Sequence, residues 1–119
     1  MYATVADLVA KFGETEVVRL SGGRSVDGLV LDAARVEAAI GDASALVDSY
    51  LRARYAVPLA SPAREVVLAV LTLARHELAQ GDGRAPTEQM VEARKDVLRW
   101  LERAAAGTVK IAGAAAAAE

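Results

Sequence analysis

The chain has 119 residues, which is the size of one domain and allows roughly two thirds of the unfolded surface to be buried. Its 14 basic and 16 acidic residues leave a net charge of -2, so overall charge gives no reason to bind a phosphate backbone. The absence of cysteine excludes disulfides and thiolate metal sites. No signal-peptide pattern opens the chain, and the longest uncharged apolar run, residues 66–74, is too short to cross a membrane. We therefore expect a soluble protein made in the cytoplasm, without membrane contact.

The first predicted helix begins after Thr4, because Thr4 and Asp7 have the spacing of a capping box. Gly13 is a natural terminator for this helix, and residues 14–20 are expected to add one more turn. The apolar positions that define the buried face of the first helix are Val5, Leu8, Val9 and Phe12.

A glycine-rich stretch follows. Gly22, Gly23 and Gly28 oppose regular structure, so residues 21–28 are predicted to form a long loop. The stretch lacks the Gly-Lys-Ser/Thr ending and the preceding strand of a phosphate-binding loop. A connecting loop is therefore the favoured interpretation.

Three longer helices are predicted after this loop. The second helix is capped by Asp32 and should stop before Pro58, which disfavours helical geometry at Val57. The third begins at Ser61 and Pro62, ends near residues 80–83, and is apolar nearly all round over residues 66–74, which indicates a buried element. The fourth begins at Pro86 or Thr87. The predicted fold is all-α: a small bundle of four main helices.

The chain changes character after Gly107, which separates a helical domain, residues 1–107, from a C-terminal extension, residues 108–119. The run Thr108–Ile111 has high strand propensity but no partner strand nearby in sequence. Two interpretations stay open: a segment that joins the sheet edge of a partner, or a floppy tail. The alanine-rich residues 112–119 are too few to hold a helix alone, so we expect the extension to lie outside the core.

Residues that could carry chemistry are few. His76 has no ligand spacing around it, and Glu37, Asp42 and Asp48 follow a solvated helix face without a pocket-forming feature. We predict no catalytic, cofactor or metal site, and thus no enzyme. Trp100 is expected to pack in the core rather than at an interface. The basic residues of the fourth helix alternate with acidic ones, which favours local ion pairs over a DNA-binding face: Arg94, Lys95, Arg99 and Arg103.

Three segments carry a family resemblance: Met1–Glu14, Asp48–Leu59 and Leu98–Glu102. Together with the order of the elements from Met1 to about Thr108, they resemble the head-tail connector, or adaptor, proteins of Mu-like phages and prophages. Asp48–Leu59, with two tyrosines and two arginines closed by a proline, is the most telling segment. Its tyrosines are expected to pack the long helix against its neighbours.

The resemblance implies a structural protein of the virion neck that forms a ring of about twelve copies, following portal symmetry. Such a ring extends the DNA channel beneath the portal and holds the next neck or tail component, without sequence-specific DNA binding. The extension implied to dock into the portal is Thr108, Val109, Lys110 and Ile111. The loop implied to reach a neighbouring copy or the channel is Ser21, Gly22, Gly23, Arg24, Ser25, Val26, Asp27 and Gly28.

A competing interpretation is a helical DNA-binding regulator in which the third and fourth helices form a helix-turn-helix. Against it, the connection at residues 81–86 is longer than the usual tight turn, and the third helix is too apolar to be exposed.

Overall fold

The computed structural model describes residues 1–81 and 83–117. Asp82, within the predicted end of the third helix, and residues 118–119 of the predicted extension lie outside the described residues. The elements in chain order are α1 (Val5–Phe12), α2 (Glu14–Ser21), β1 (Gly23–Ser25), β2 (Gly28–Val30), α3 (Ala33–Leu51), α4 (Arg64–Leu78) and α5 (Glu88–Ala106). The chain is thus mostly helical, and the prediction of a strictly all-α fold is wrong because a small sheet follows α2.

The N-terminal helices begin and end as their sequence requires. The Thr4 hydroxyl accepts from the Asp7 amide at 3.1 Å, while the Asp7 carboxylate accepts from the Thr4 amide at 2.9 Å. This reciprocal pair is the predicted capping box. Gly13 ends α1 at φ 90° and lets the chain turn directly into α2. α2 is longer than the single turn predicted for residues 14–20. Glu16 of α2 binds Arg75 of α4 through two hydrogen bonds of 2.7 and 3.0 Å.

The predicted long loop is a β-hairpin. β1 and β2 pair antiparallel, with Gly23 opposite Val30, Arg24 opposite Leu29 and Ser25 opposite Gly28. Only residues 26–27 remain to form the turn, which is the commonest hairpin length. The glycines that indicated a loop instead permit the hairpin: Gly28 adopts φ 111°, and a Cβ on Gly23 would lie 2.4 Å from the Val30 carbonyl oxygen.

The core lies between α3, α4 and α5, with α4 buried along most of its length as predicted. Asp32 caps α3 as expected, by accepting from the Arg35 amide at 3.1 Å. The end of α3 comes at Leu51, well before Val57, because residues 52–55 turn back and the Tyr55 amide bonds the Leu51 carbonyl at 2.8 Å. α4 starts at Arg64 rather than at Ser61–Pro62, since Ala63 keeps an extended backbone.

The last helix begins at the second of its two predicted starts. Thr87 is the N-cap of α5, and its hydroxyl accepts from the Met90 amide at 3.2 Å. Gly107 ends the helix in the left-handed conformation, at φ 83°. Among the described residues, no helix is both long enough and apolar enough to cross a membrane.

Candidate functional site: a clasp for both chain ends

Both ends of the chain meet at the turn that follows α3. We call this region the clasp and define it by Asp48, residues 54–56 and Leu59. It lies within the segment Asp48–Leu59 that carries the strongest family resemblance. The predicted packing role of the tyrosines in this segment is confirmed in part, because Tyr50 and Tyr55 pack against the core. The clasp also makes polar bonds that the sequence did not predict.

Tyr2 binds the N-terminal end of the chain to the clasp. Its ring is 7% exposed, and its amide donates to the Ser44 hydroxyl at 3.1 Å. Its own hydroxyl donates to the Asp48 carboxylate and accepts from the Leu59 amide at 2.8 Å. Burial, and then the bond to Asp48, raise the pKa of Tyr2 to about 12. One hydroxyl therefore connects the end of α3 to the segment that leads into α4.

Arg54 connects the clasp to the end of α5. Its guanidinium donates to the carbonyls of Ala105 and Ala106 at 3.0 and 2.9 Å. A cation at a helix C-terminus is favourable, because the last carbonyls carry partial negative charge and have no partner within the helix. The contact also restricts the next residue: a Cβ on Gly107 would lie 2.5 Å from the Arg54 Cζ.

The C-terminal extension then packs on the clasp. The Ile111 amide donates to the Tyr55 hydroxyl at 3.0 Å, and the Ile111 side chain is 4% exposed within the core. Further along, the Ala56 amide donates to Ala115 and the Ala117 amide donates to Arg54, both at 2.9 Å. The expectation that the extension lies outside the core is therefore wrong at Ile111.

The predicted strand is also displaced along the sequence. Residues 108–111 have no strand geometry, and the strand-like pairing occurs later, between Ala116 and Tyr55 of the same chain. Thr108 and Lys110 are exposed and Val109 is half-buried. Of the four residues predicted to dock, three thus remain accessible and Ile111 faces inward.

The second predicted site, residues 21–28, lies on another part of the molecule. Ser21 is buried at the end of α2, where its hydroxyl accepts from the Asp32 amide at 3.0 Å, so its role is structural. The other residues belong to the hairpin or its connection to α2. The hairpin packs on α2, whereas the extension packs on the clasp. The two predicted sites are therefore separate surfaces.

A polar hollow beside α3 and α4 was not predicted. Its volume is about 350 Å³, and its lining includes Asp42, His76, Glu77 and Arg94. Burial raises the pKa of Glu77 to about 7, with a further contribution from a hydrogen bond and the charge of Asp42. Burial and the nearby Arg94 lower the pKa of His76. Asp42, predicted on a solvated face away from any pocket, is exposed but shares this hollow.

The hollow brings acidic and basic side chains together without a metal-binding arrangement. Across residues 1–81 and 83–117, no three metal-ligating side chains converge. Asp42 lies on α3 and Glu77 on α4, and the packing of these two helices brings both side chains to the hollow. That packing explains why the local spacing of Asp42 gave no signal.

The outer face of α5 carries the ion pairs predicted for it. Lys95 pairs with Glu92 at 3.4 Å and Arg99 with Asp96 at 3.2 Å, each three residues apart. These contacts partly neutralise the face that a helix-turn-helix protein would present to DNA. Trp100 packs against the core yet stays partly exposed, in a groove between α4 and α5.

Sequence comparison places this helical protein, with both ends held on one turn, among the proteins of Mu-type phages. A match over residues 2–119 shows that the chain belongs to the family described as Bacteriophage Mu, Gp36. It is 36% identical over 102 residues to "Gene product J" of Escherichia phage Mu, covering 86% of this chain and 70% of that protein. It is also 36% identical over 81 residues to "Mu-like prophage FluMu protein gp36" of Haemophilus influenzae, covering 68% of this chain and 55% of that protein. The predicted relation to Mu-like phage proteins is thus confirmed.

Proposed function

We propose that this protein is a head-tail adaptor of the virion neck, which forms a ring beneath the portal and continues the DNA channel toward the tail. Family membership supports a role in phage structure or morphogenesis. The observation that carries the finer proposal is the extension, which is bonded to the clasp in one copy and which we propose is released from it on docking.

Release of the extension exposes one buried side chain and breaks hydrogen bonds to the clasp. In the described part of the extension, the long-range bonds are those of Ile111, Ala115 and Ala117. Residues 112–116 are glycine and alanines that are mostly exposed, so they lose little apolar contact on leaving. Exposing Ile111 costs about 2–3 kcal/mol, and each of the three lost hydrogen bonds adds about 1 kcal/mol. Pairing of the released segment with a sheet edge of the portal can offset that amount, because each new backbone hydrogen bond contributes about 1 kcal/mol.

Docking on the portal then involves residues 108–111. Thr108 and Lys110 already face solvent and make the first contact, and Ile111 follows when it leaves its buried seat. Gly107 is the natural pivot, since its left-handed backbone turns the chain away from the axis of α5. The partners in this proposal are the portal protein, neighbouring copies of this chain and the next neck or tail component.

The charge of the chain suits a lining for moving DNA. A protein with a net charge of -2 neutralises few phosphates as a whole, so DNA passes without being retained. The alternative, a DNA-binding regulator, lacks a specific supporting observation, because α4 is largely buried and α5 carries paired charges.

Binding to the portal protein encoded with this chain tests the proposal. We expect the full chain to co-sediment with portal rings, and truncation after Gly107 to abolish binding. Truncation also removes the buried Ile111, so Lys110→Glu is the second variant, because it changes an exposed side chain and leaves the core intact. We expect at least a tenfold loss of affinity for Lys110→Glu, about 1.4 kcal/mol.

Lys11→Glu is the matched control, since Lys11 is exposed at the end of α1 and the charge change is the same. Unaltered binding by Lys110→Glu together with the truncated chain would refute docking through the extension. In infected cells, the truncated chain should give heads that package DNA but neither retain it nor accept tails. Normal virions from that variant would contradict the adaptor role of the extension.

A further inference from the structure

The hairpin exposes apolar side chains that have no cover in a single chain. The large apolar residues that stay exposed in the described part of the chain are Met1, Val26, Leu29 and Val30, and all but Met1 belong to the hairpin. Val26 is fully exposed at the turn, while Leu29 and Val30 are 48% and 39% exposed. Clustered exposure of this kind is typical of an interaction surface.

A groove between α4 and α5 offers a matching apolar surface. Its lining includes Leu68, Thr72, Val97 and Trp100, and its volume is about 270 Å³. A water molecule occupies about 30 Å³ of the liquid, so the groove has room for more than one aliphatic side chain. Tryptophan at the wall of a concave apolar surface is typical of residues that contribute strongly to binding.

Opposite charges flank the two surfaces at Arg24 and Glu65, although Asp27 is exposed beside Val26 and Asp96 already pairs with Arg99 at 3.2 Å. Arg24 is exposed on β1 and lies across the hairpin from Leu29, so the cation and the apolar side chain project from the same face. Glu65, in the first turn of α4, and Asp96, on α5, line the groove and are both exposed. A hairpin seated in the groove therefore brings Arg24 toward two carboxylates.

We propose that the hairpin of one copy inserts into the α4–α5 groove of a second copy, with Val26 in the groove and Arg24 opposite Glu65 and Asp96. Each chain carries one hairpin and one groove on different elements, so the contact is head-to-tail. Contacts of this type form a closed ring when the rotation between copies closes. This inference rests on the proposed ring and names the surfaces that build it.

The hairpin packs on α2 but keeps apolar side chains exposed. Here the strands have three residues each and their contacts with helices are made with α2. Insertion into a groove would bury Val26 and Leu29 and contribute roughly 25 cal/mol for each Å² of apolar surface removed from water.

Disulfide capture tests the contact without any portal protein. The natural chain has no cysteine, so engineered thiols are the only ones present. A chain carrying Val26→Cys is mixed with a chain carrying Thr72→Cys, at about millimolar concentration, which populates even weak complexes. We expect a mixed disulfide in at least tenfold excess over a control mixture of Val26→Cys and Ser49→Cys. Ser49 is a suitable control because it is exposed on α3, outside the groove.

A charge exchange gives a second measurement on exposed residues. Arg24→Glu should reduce capture at least threefold, and adding Glu65→Arg on the groove-bearing chain should restore it, because the opposite charges are then re-established. Capture no better than the Ser49 control, or no rescue by the exchange, would overturn the inference.

The two proposals can fail separately. Specific capture without portal binding by the full chain would leave the hairpin contact intact and refute the adaptor role. Portal binding by the full chain without specific capture would support the adaptor role and refute the hairpin contact.

Discussion

The clasp and the hairpin show opposite ways of placing an apolar side chain. At the clasp, the chain buries Ile111 to 4% exposure and bonds its amide to Tyr55, so the surface is complete within one copy. At the hairpin, Val26 is fully exposed, and the strands on either side are too short to cover it. Both segments were predicted to bind partners, but only the hairpin presents an apolar surface that is ready to do so.

This difference separates two kinds of binding event. The hairpin can associate with little rearrangement, because its apolar side chains are already exposed. The extension must first leave its seat on the clasp, so its affinity for a partner is reduced by the free energy of that seat. In the proposed docking, the extension therefore binds the portal only if the new contacts offset the free energy of its seat on the clasp.

The largest expected contrast is between Ile111→Ala and Val26→Ala. We expect Ile111→Ala to lower the free energy of unfolding by about 2–4 kcal/mol, because it removes buried atoms and leaves a cavity. Val26→Ala should change it by less than about 0.5 kcal/mol, since the side chain touches little in one copy. Urea unfolding at low protein concentration measures both. Equal effects would break the distinction between the two regions.

Gly107 and Gly28, two of the glycines with positive φ, give a smaller contrast. Gly107→Ala places a Cβ 2.5 Å from Arg54 at φ 83°, so we expect a loss of about 2 kcal/mol. Gly28→Ala has the same kind of backbone strain at φ 111° but open space around the added atom, and should cost about 1 kcal/mol. Thermal unfolding of the pair checks the order. A reversed order would show that Arg54 does not restrict Gly107.

Measurements at alkaline pH test the clasp specifically, through the hydroxyl of Tyr2. The pKa of Tyr2 is raised from 10.0 to about 12, so its contribution to stability is present below pH 10 and is lost as the pH rises through 12. We expect Tyr2→Phe to cost about 1–2 kcal/mol near neutral pH, because Asp48 and the Leu59 amide lose their partner. The difference between wild type and Tyr2→Phe should shrink between pH 10 and 12. A constant difference across that range would contradict the buried hydroxyl.

The smallest effect is expected in the polar hollow, which lies outside both regions. The pKa of Glu77 is raised from 4.5 to about 7, so its stabilising contribution is present below pH 4.5 and is lost as the pH rises through 7. Glu77→Gln should therefore be more stable than wild type by about 1 kcal/mol near pH 8, with no gain near pH 4.5. Asp42, His76 and Arg94 line the same hollow and are unchanged in both proteins. A pH-independent difference would contradict the shift.

The helices could be predicted because their signals are local. Thr4, Asp32 and Thr87 each cap a helix through an amide three residues away, so sequence spacing alone identifies them. The apolar run at residues 66–74 likewise indicates a buried helix without knowledge of its neighbours. The end of α3 was predicted too late, because the turn at residues 52–55 has no local signal as strong as Pro58.

The hairpin had a local signal that the glycines obscured. An Asp-Gly pair beside an apolar run is typical of hairpins, and Asp27-Gly28 before residues 29–31 has this pattern, one residue past the turn at residues 26–27. Residues 21–28 were thus assigned the wrong local structure, and their contact with a neighbouring copy or the channel stays a prediction.

The clasp could not be predicted from spacing. Tyr2 and Asp48 are 46 residues apart, and Ile111 and Tyr55 are 56 apart, so neither pair falls on one element. The segment Asp48–Leu59 identified the family, but nothing in its composition shows that it receives both ends of the chain. Long-range polar contacts depend on the packing of α3, α4 and α5, which local patterns do not specify.

Trp100 makes the groove visible to spectroscopy. It is the single tryptophan of the chain, and it lies partly exposed in the α4–α5 groove. Any apolar side chain that enters the groove displaces water from the indole ring and should shift its fluorescence emission to shorter wavelength. The protein therefore carries an intrinsic optical probe of the proposed contact between copies, free of background from other indoles. The same signal would follow ring assembly in real time, without a label.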